Sequence, residues 1–143
     1  MSPPPIQEVT TASRVEEAPV TGKRILVVDD EEEVAMILAE LLSIDRHEVD
    51  TAKSGALALE KIRRQRYDLV VSDLLMPEMD GPSLYRAVEA MDPELARRFV
   101  FITGDTLGAT VRDFLDAAAR PTLTKPFDFE EVLRVVRGAL RGS

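Results

Sequence analysis

Five polar residues each stand at the end of a strand-like run: Asp29 and Asp30 after "ILVV" (25–28), Asp73 after "LVVS" (69–72), Thr103 at the end of "RFVFIT" (98–103), and Lys125 after "PTLT" (121–124). Three carboxylates brought together repel one another unless a cation joins them or one keeps its proton. The chain has no cysteine, and its one histidine is His47. An all-oxygen donor set of this kind suits Mg²⁺ or Mn²⁺ and not zinc. A carboxylate nucleophile next to a divalent cation, a hydroxyl and an ammonium suits phosphoryl transfer. Attack by the carboxylate gives an acyl phosphate that can hydrolyse or pass on its energy. The transfer needs alignment and positive charge at the phosphoryl oxygens. Lysine supplies that charge as a mobile point cation, and Thr103 adds a short donor.

Each residue also has a plainer reading. Asp30 with Glu33 fits a capping box, and Glu31, Glu32 and Glu33 suit the positive end of a helix. Asp73 could form a turn ahead of Pro77 and Gly81, and Lys125–Pro126 could be an exposed lysine before a bend. The case for a site rests on their joint placement at the ends of successive strands.

The elements that must position them follow from periodicity. Val34, Ile37, Leu38, Leu41 and Leu42 make one helical face. "HEVDTA" (47–52) reads as a second strand, after which Ser54 caps a helix to about Arg64. "YDLVVSD" (67–73) is a third strand, and "PEMDG" (77–81) is turn material. Leu84, Val88 and Met91 mark a third helix, residues 98–103 a fourth strand, and Val111, Phe114, Leu115 and Ala118 a fourth helix. A short fifth strand covers 121–124. The last helix opens with an Asp128/Glu131 capping box and a Phe127/Val132 staple and runs to about Leu140. Five β–α units in this order predict an α/β fold, a single doubly wound five-stranded parallel sheet with five helices on its two faces. Ligands of such sheets bind beyond the carboxyl ends of the strands. Residues 1–22, rich in Pro, Thr, Glu and Ser, read as a flexible tail or interdomain linker, and 23–141 as one domain.

Composition narrows the partners. The 143 residues carry a net charge of −8, which argues against a nucleic-acid surface and against an anionic membrane. No apolar stretch approaches the ~20 residues of a membrane span, and the start lacks the apolar core of a signal peptide. A cytoplasmic protein is expected. His47, at the head of the second strand, reads as a solvated structural residue away from the acidic cluster. Arg134, Arg137 and Arg141 read as a solvated helix face, with a partner surface as the alternative.

Four motifs, "VVDDEEEV", "DLLMPEMDG", "ITGD" and "TKPF", together resemble those of a response-regulator receiver domain, from about Lys23 to Leu140. The resemblance implies a flavodoxin-like strand order 2-1-3-4-5. It implies that Asp73 accepts a phosphoryl group from the phosphohistidine of a histidine kinase or phosphotransfer domain. Mg²⁺ (or Mn²⁺) would be bound directly by Asp30 and Asp73, mostly through water by Asp29, and by the backbone carbonyl of Leu75. Thr103 would hydrogen-bond the phosphoryl group, Lys125 would pair with one of its oxygens, and Lys125–Pro126 would be a cis peptide. Leu75 and Asp105 would flank the path of the hydrolytic water. Thr103 and Thr122 occupy the switch positions. The residue three before the lysine is commonly aromatic in the family, so Thr122 puts the usual ring-rotation readout in doubt.

The favoured setting is the receiver of a hybrid sensor histidine kinase, with residues 1–22 as the linker after the kinase. The alternative is a stand-alone response regulator acting on a downstream protein, with a weak homodimer through the fourth helix, fifth strand and fifth helix. Such a domain promotes its own phosphorylation and dephosphorylation but is no turnover enzyme. An Mg²⁺-dependent aspartyl-phosphate phosphatase would want a second Asp two residues after a strand-1 nucleophile, where Glu31 stands after Asp29. A phosphorylation-independent pseudo-receiver is disfavoured by the intact set Asp29, Asp30, Asp73, Thr103 and Lys125.

Overall fold

Apolar strands of five residues or fewer can be buried on both faces only if helices cover both sides of the sheet. The computed structural model, which describes residues 20–104 and 108–142, has this arrangement. The strands are β1 (Arg24–Val28), β2 (Glu48–Ala52), β3 (Leu69–Asp73), β4 (Phe99–Thr103) and β5 (Thr122–Thr124). All pair in parallel in the order β2-β1-β3-β4-β5. The longer helices are α1 (Glu32–Leu42), α2 (Gly55–Arg64), α3 (Gly81–Met91), α4 (Ala109–Ala118) and α5 (Phe129–Gly142).

Alternate residues of each strand feed two separate cores. Leu26, Val28, Val70, Phe99 and Phe101 pack under α2 and α3 through Ala58, Leu59, Leu84 and Val88, with Phe114 of α4 at the margin. Ile25, Val27, Val71, Val100 and Ile102 pack under α1 and α5 through Leu38, Leu42, Val132 and Val136. Burying a large aliphatic side chain is worth about 1.5–3 kcal/mol. The strands therefore hold their register firmly, and a one-residue slip would exchange the two cores.

Several local expectations change. A sixth helix of one turn, Pro93–Ala96, precedes β4. Asp92 Oδ1 accepts from the Leu95 amide at 3.2 Å, and Pro93 sits at the first helical position. Four residues are too few to show a helical period, which is why the pattern missed it. The Asp30/Glu33 capping box does not form: Glu31 is the N-cap residue of α1 and makes no side-chain cap. The turn is held instead by Asp29 Oδ1, which accepts from the Glu31 amide at 2.9 Å. Ser54 caps α2 as expected, accepting from the Leu57 amide at 3.2 Å. Asp128 accepts from the amides of Glu130 and Glu131 at 3.0 and 3.4 Å, Val132 is buried, and Phe127 packs beside the same core. Residues 1–19 of the expected tail, and Asp105, lie outside the described residues.

Two expectations for the opposite edge of the sheet are corrected. His47 is 6% exposed, not solvated, and its Nδ1 accepts from the Lys23 amide at 3.2 Å. Burial pushes its pKa down, against the pull of Asp45 and Asp68. Arg137 is not merely part of a solvated face. It grips Asp45, in the 3₁₀ turn Ser43–Asp45, through Nε at 2.8 Å and a terminal nitrogen at 3.0 Å. Arg134 and Arg141 stay exposed. Because Asp45 is 5% exposed, removing its partner strands a buried carboxylate. Arg137→Ala is expected to cost about 2 kcal/mol, the middle of the range for hydrogen bonds to charged groups. Urea unfolding checks this, and an unchanged midpoint would show that the pair contributes nothing.

Candidate functional site

The strand order places β1 beside β3, with Val28 opposite Ser72. The residues that follow, Asp29 and Asp73, therefore open into one crevice at the carboxyl edge of the sheet. Asp29 extends β1 by one bond, its amide donating to the Ala52 carbonyl at 3.1 Å. The chain then turns sharply, which leaves Asp30 exposed at the rim while Asp29 is 1% exposed. Asp73 ends β3 and is also buried, and its Oδ1 accepts from the Leu75 amide at 3.3 Å. Carboxylate oxygens of Asp29, Asp30 and Asp73 lie within 4.8 Å of one another.

Lys125 reaches this cluster from the other side. Its amide donates to the Thr103 carbonyl at 2.9 Å, and the Lys125–Pro126 peptide is cis. Its Nζ lies 3.0 Å from Glu31 Oε1, 3.5 Å from Asp29 Oδ2 and 3.7 Å from Asp73 Oδ2. Thr103 closes β4 and is buried at the same edge. Thr122 stands apart, half-buried at the start of β5 opposite Phe101. Leu75 is exposed beside Asp73.

Electrostatics explain how such a cluster survives in a fold. Burial pushes the Asp29 carboxyl up to about 6; the Glu31 amide and Lys125 oppose this, and the charge of Asp73 adds to it. Burial also raises Asp73 above the ordinary carboxylate range, against the pull of the Leu75 amide and Lys125. Burial would lower Lys125, but the hydrogen bond it donates to Glu31 and the charges of Asp29 and Asp73 outweigh it and raise its pKa. A divalent cation fits this donor set on chemical grounds. Every candidate ligand atom is a hard oxygen, and Asp29 Oδ2 is buried without a hydrogen-bond partner among the described residues, with the Lys125 ammonium 3.5 Å away.

Two contributors escaped the sequence reading. The sequence reads Glu31 as part of the helix end, yet it makes the shortest of the three contacts to Lys125. Gly81 reads in the sequence as turn material only. A Cβ there would sit 2.6 Å from the Asp73 carbonyl oxygen and 3.0 Å from Leu74 Cα, so its lack of a side chain lets the start of α3 close over the backbone that carries Asp73. The sequence held a hint in the eight-residue spacing from Asp73 to Gly81, but not the contact.

Comparison with known proteins agrees with this geometry. Residues 25–137 match the family model of the response regulator receiver domain. Over 118 residues the chain is 37% identical to response regulator MprA of Mycobacterium leprae, covering 82% of this chain and 51% of that protein. The chain thus spans about half the length of the curated relatives it matches. Among solved structures it is similar to the signal receiver domain of an HD domain-containing protein from Pseudomonas fluorescens (29% identity, TM-score 0.74, 83% of this chain and 94% of that one). It is also similar to chemotaxis protein CheY4 of Vibrio cholerae (26% identity, TM-score 0.72, 83% of this chain and 99% of that one).

Proposed function

Because the chain belongs to the response regulator receiver domain family, we propose that Asp73 is its phosphoacceptor, charged by the phosphohistidine of a histidine kinase or phosphotransfer domain. The observation that carries this is the buried Asp73 carboxylate at the end of β3, with Lys125 Nζ 3.7 Å away and two more carboxylates alongside. An oxygen of Asp73 attacks phosphorus as the phosphorus–nitrogen bond of the donor breaks. The imidazole nitrogen keeps the bonding electron pair, and the product is a carboxylic–phosphoric anhydride. Asp29, Asp30 and Asp73 would hold Mg²⁺, with the Leu75 carbonyl as a further expected ligand, and the bound ion supplies positive charge for the phosphoryl oxygens. Lys125 offsets negative charge on the opposite side, and the Thr103 hydroxyl donates to the transferred group.

The readout is assigned to Thr103 and the segment between β4 and α4. A Thr122 methyl moves little apolar area, and at ~25 cal/mol per Å² it cannot bias two states as a ring would. Curated relatives are named response regulator MprA and transcriptional regulatory protein RprY, which favours a response regulator over the receiver of a hybrid kinase. No helix among the described residues is long and apolar enough to cross a membrane, and a cytoplasmic setting is part of the proposal.

Incubation with acetyl phosphate and Mg²⁺ tests the reading. One phosphoryl group per chain is expected by intact mass, and an unchanged mass would refute it. Lifetime is the second readout. Leu75 is 62% exposed beside Asp73 and offers a passing water no side-chain hydrogen bond. Leu75→Asn is expected to speed loss of the phosphoryl group severalfold, followed by mass after removal of the donor. An unchanged decay would show that Leu75 does not shield the anhydride.

A further inference from the structure

Lys125 is shared among three carboxylates, and the one nearest to it is not the acceptor. Its Nζ is 3.0 Å from Glu31 Oε1 but 3.7 Å from Asp73 Oδ2. Glu31 is the N-cap residue of α1, yet its side chain makes no capping bond, and among the described residues its carboxylate accepts a hydrogen bond from Lys125 alone. The Glu31 side chain is 63% exposed and that of Lys125 22% exposed. The glutamate is therefore free to swing into solvent, while the lysine stays at the crevice.

We propose that Glu31 is a positioning residue that holds the Lys125 ammonium away from Asp73 in the resting domain and releases it when a phosphoryl oxygen arrives. The inference rests on the phosphoacceptor reading of Asp73. Before transfer, the Lys125 ammonium sits between Glu31, Asp29 and Asp73. After transfer, a phosphoryl group bearing more negative charge than one carboxylate competes for the same ammonium, and Glu31 turns outward to water. The cost of that exchange is small because the Glu31 end of the pair is exposed; exposed pairs shift equilibria about two- to fivefold at most. Glu31 thus sets how readily Lys125 engages the incoming group, and it does so from outside the set of reacting atoms.

The test compares wild type, Glu31→Gln and Glu31→Asp in the full chain, with acetyl phosphate and Mg²⁺ as the probe. Aspartate keeps the charge but is about 1.5 Å shorter, so it cannot span the gap to Lys125. Both variants are expected to be phosphorylated about two- to fivefold faster than wild type. The gain is expected to vanish when each is combined with Lys125→Ala. Stability is not a usable readout here, because Asp is a better N-cap than Glu and would shift melting by itself. The spectroscopic readout is instead the Lys125 side-chain ¹⁵N resonance in metal-free protein, which moves in both variants if the pair is real. If Glu31→Gln is fast and Glu31→Asp matches wild type, Glu31 only repels the anionic donor and the positioning role is overturned. A gain that persists without Lys125, or rates equal in all three proteins, overturns it too. If wild type itself takes no phosphoryl group, the phosphoacceptor reading falls and this inference falls with it.

Discussion

Asp73→Asn abolishes labelling by acetyl phosphate: less than about one chain in a hundred gains mass under conditions that saturate wild type. Asparagine has the shape of aspartate, and its Oδ1 can still accept from the Leu75 amide, which Asp73 Oδ1 does at 3.3 Å. The loss is therefore chemical and not structural, since an amide oxygen is a poor nucleophile. Competing acceptors are placed badly. Ser72 is fully buried, and its hydroxyl donates to the Asp73 carbonyl at 3.0 Å. Asp29 is nearly inaccessible, with its Oδ1 committed to the Glu31 amide. Asp30 is exposed and is the one plausible substitute. Hydroxylamine cleaves acyl phosphates, so any residual signal can be assigned to a carboxylate or a hydroxyl. Labelling of the Asn variant at the wild-type level would move the acceptor to another residue.

What the sequence disclosed about this site follows from which forces act locally. The residues at the carboxyl ends of β1, β3 and β4 were legible because a buried strand has a sharp hydrophobic edge, and Asp29, Asp73 and Thr103 stand at such edges. Lys125 follows β5, whose Thr124 is exposed, and was legible through its motif instead. The strand order was legible only through the resemblance, since periodicity says that β1 and β3 are strands but not that they pair. Three features were hidden because they depend on distant partners. His47 is buried and bonded to the Lys23 amide where the chain enters β1, and nothing around "RHEV" announces that. Arg137 finds Asp45 across 92 positions. Glu31 sits in a run of five acids, and only the fold shows that this one reaches Lys125 while Asp29 holds the turn. The capping box assigned to Asp30 failed for the same reason: a tertiary demand on Asp29 set the start of α1 one residue later.

In the absence of divalent metal, Asp29→Asn is more stable than wild type at pH 7.5 by about 2–3 kcal/mol, and the difference disappears in acid. The Asp29 carboxyl lies at about 6 in the folded chain against an ordinary value of 3.8, chiefly through burial. Between those two values the folded state holds a proton that the unfolded chain has released. The contribution of Asp29 to stability is therefore fully present below about pH 3.8 and is lost as pH rises through about 6. Above that, the folded chain carries a buried carboxylate, and the gap corresponds to about 3 kcal/mol. Asparagine keeps the acceptor that holds the Glu31 amide and removes the charge. Its amide nitrogen would take the place of an oxygen that pairs with Lys125 Nζ at 3.5 Å but makes no hydrogen bond, so that ion pair is lost and no hydrogen bond is. Lys125 retains Glu31 and Asp73. Urea unfolding of both proteins in chelator, from pH 4 to pH 8, should show two curves that nearly meet at the acid end, part as pH rises from about 3.8 to about 6, and run parallel above that. Adding Mg²⁺ should then narrow the gap, because wild type keeps the buried anion that a hard cation neutralises and gains stability by mass action. If the Asn variant is the less stable protein at pH 7.5 without metal, attraction to Lys125 outweighs the cost of burying Asp29. The crevice would then be an ion pair held for stability, and not a strained acidic site that a cation completes.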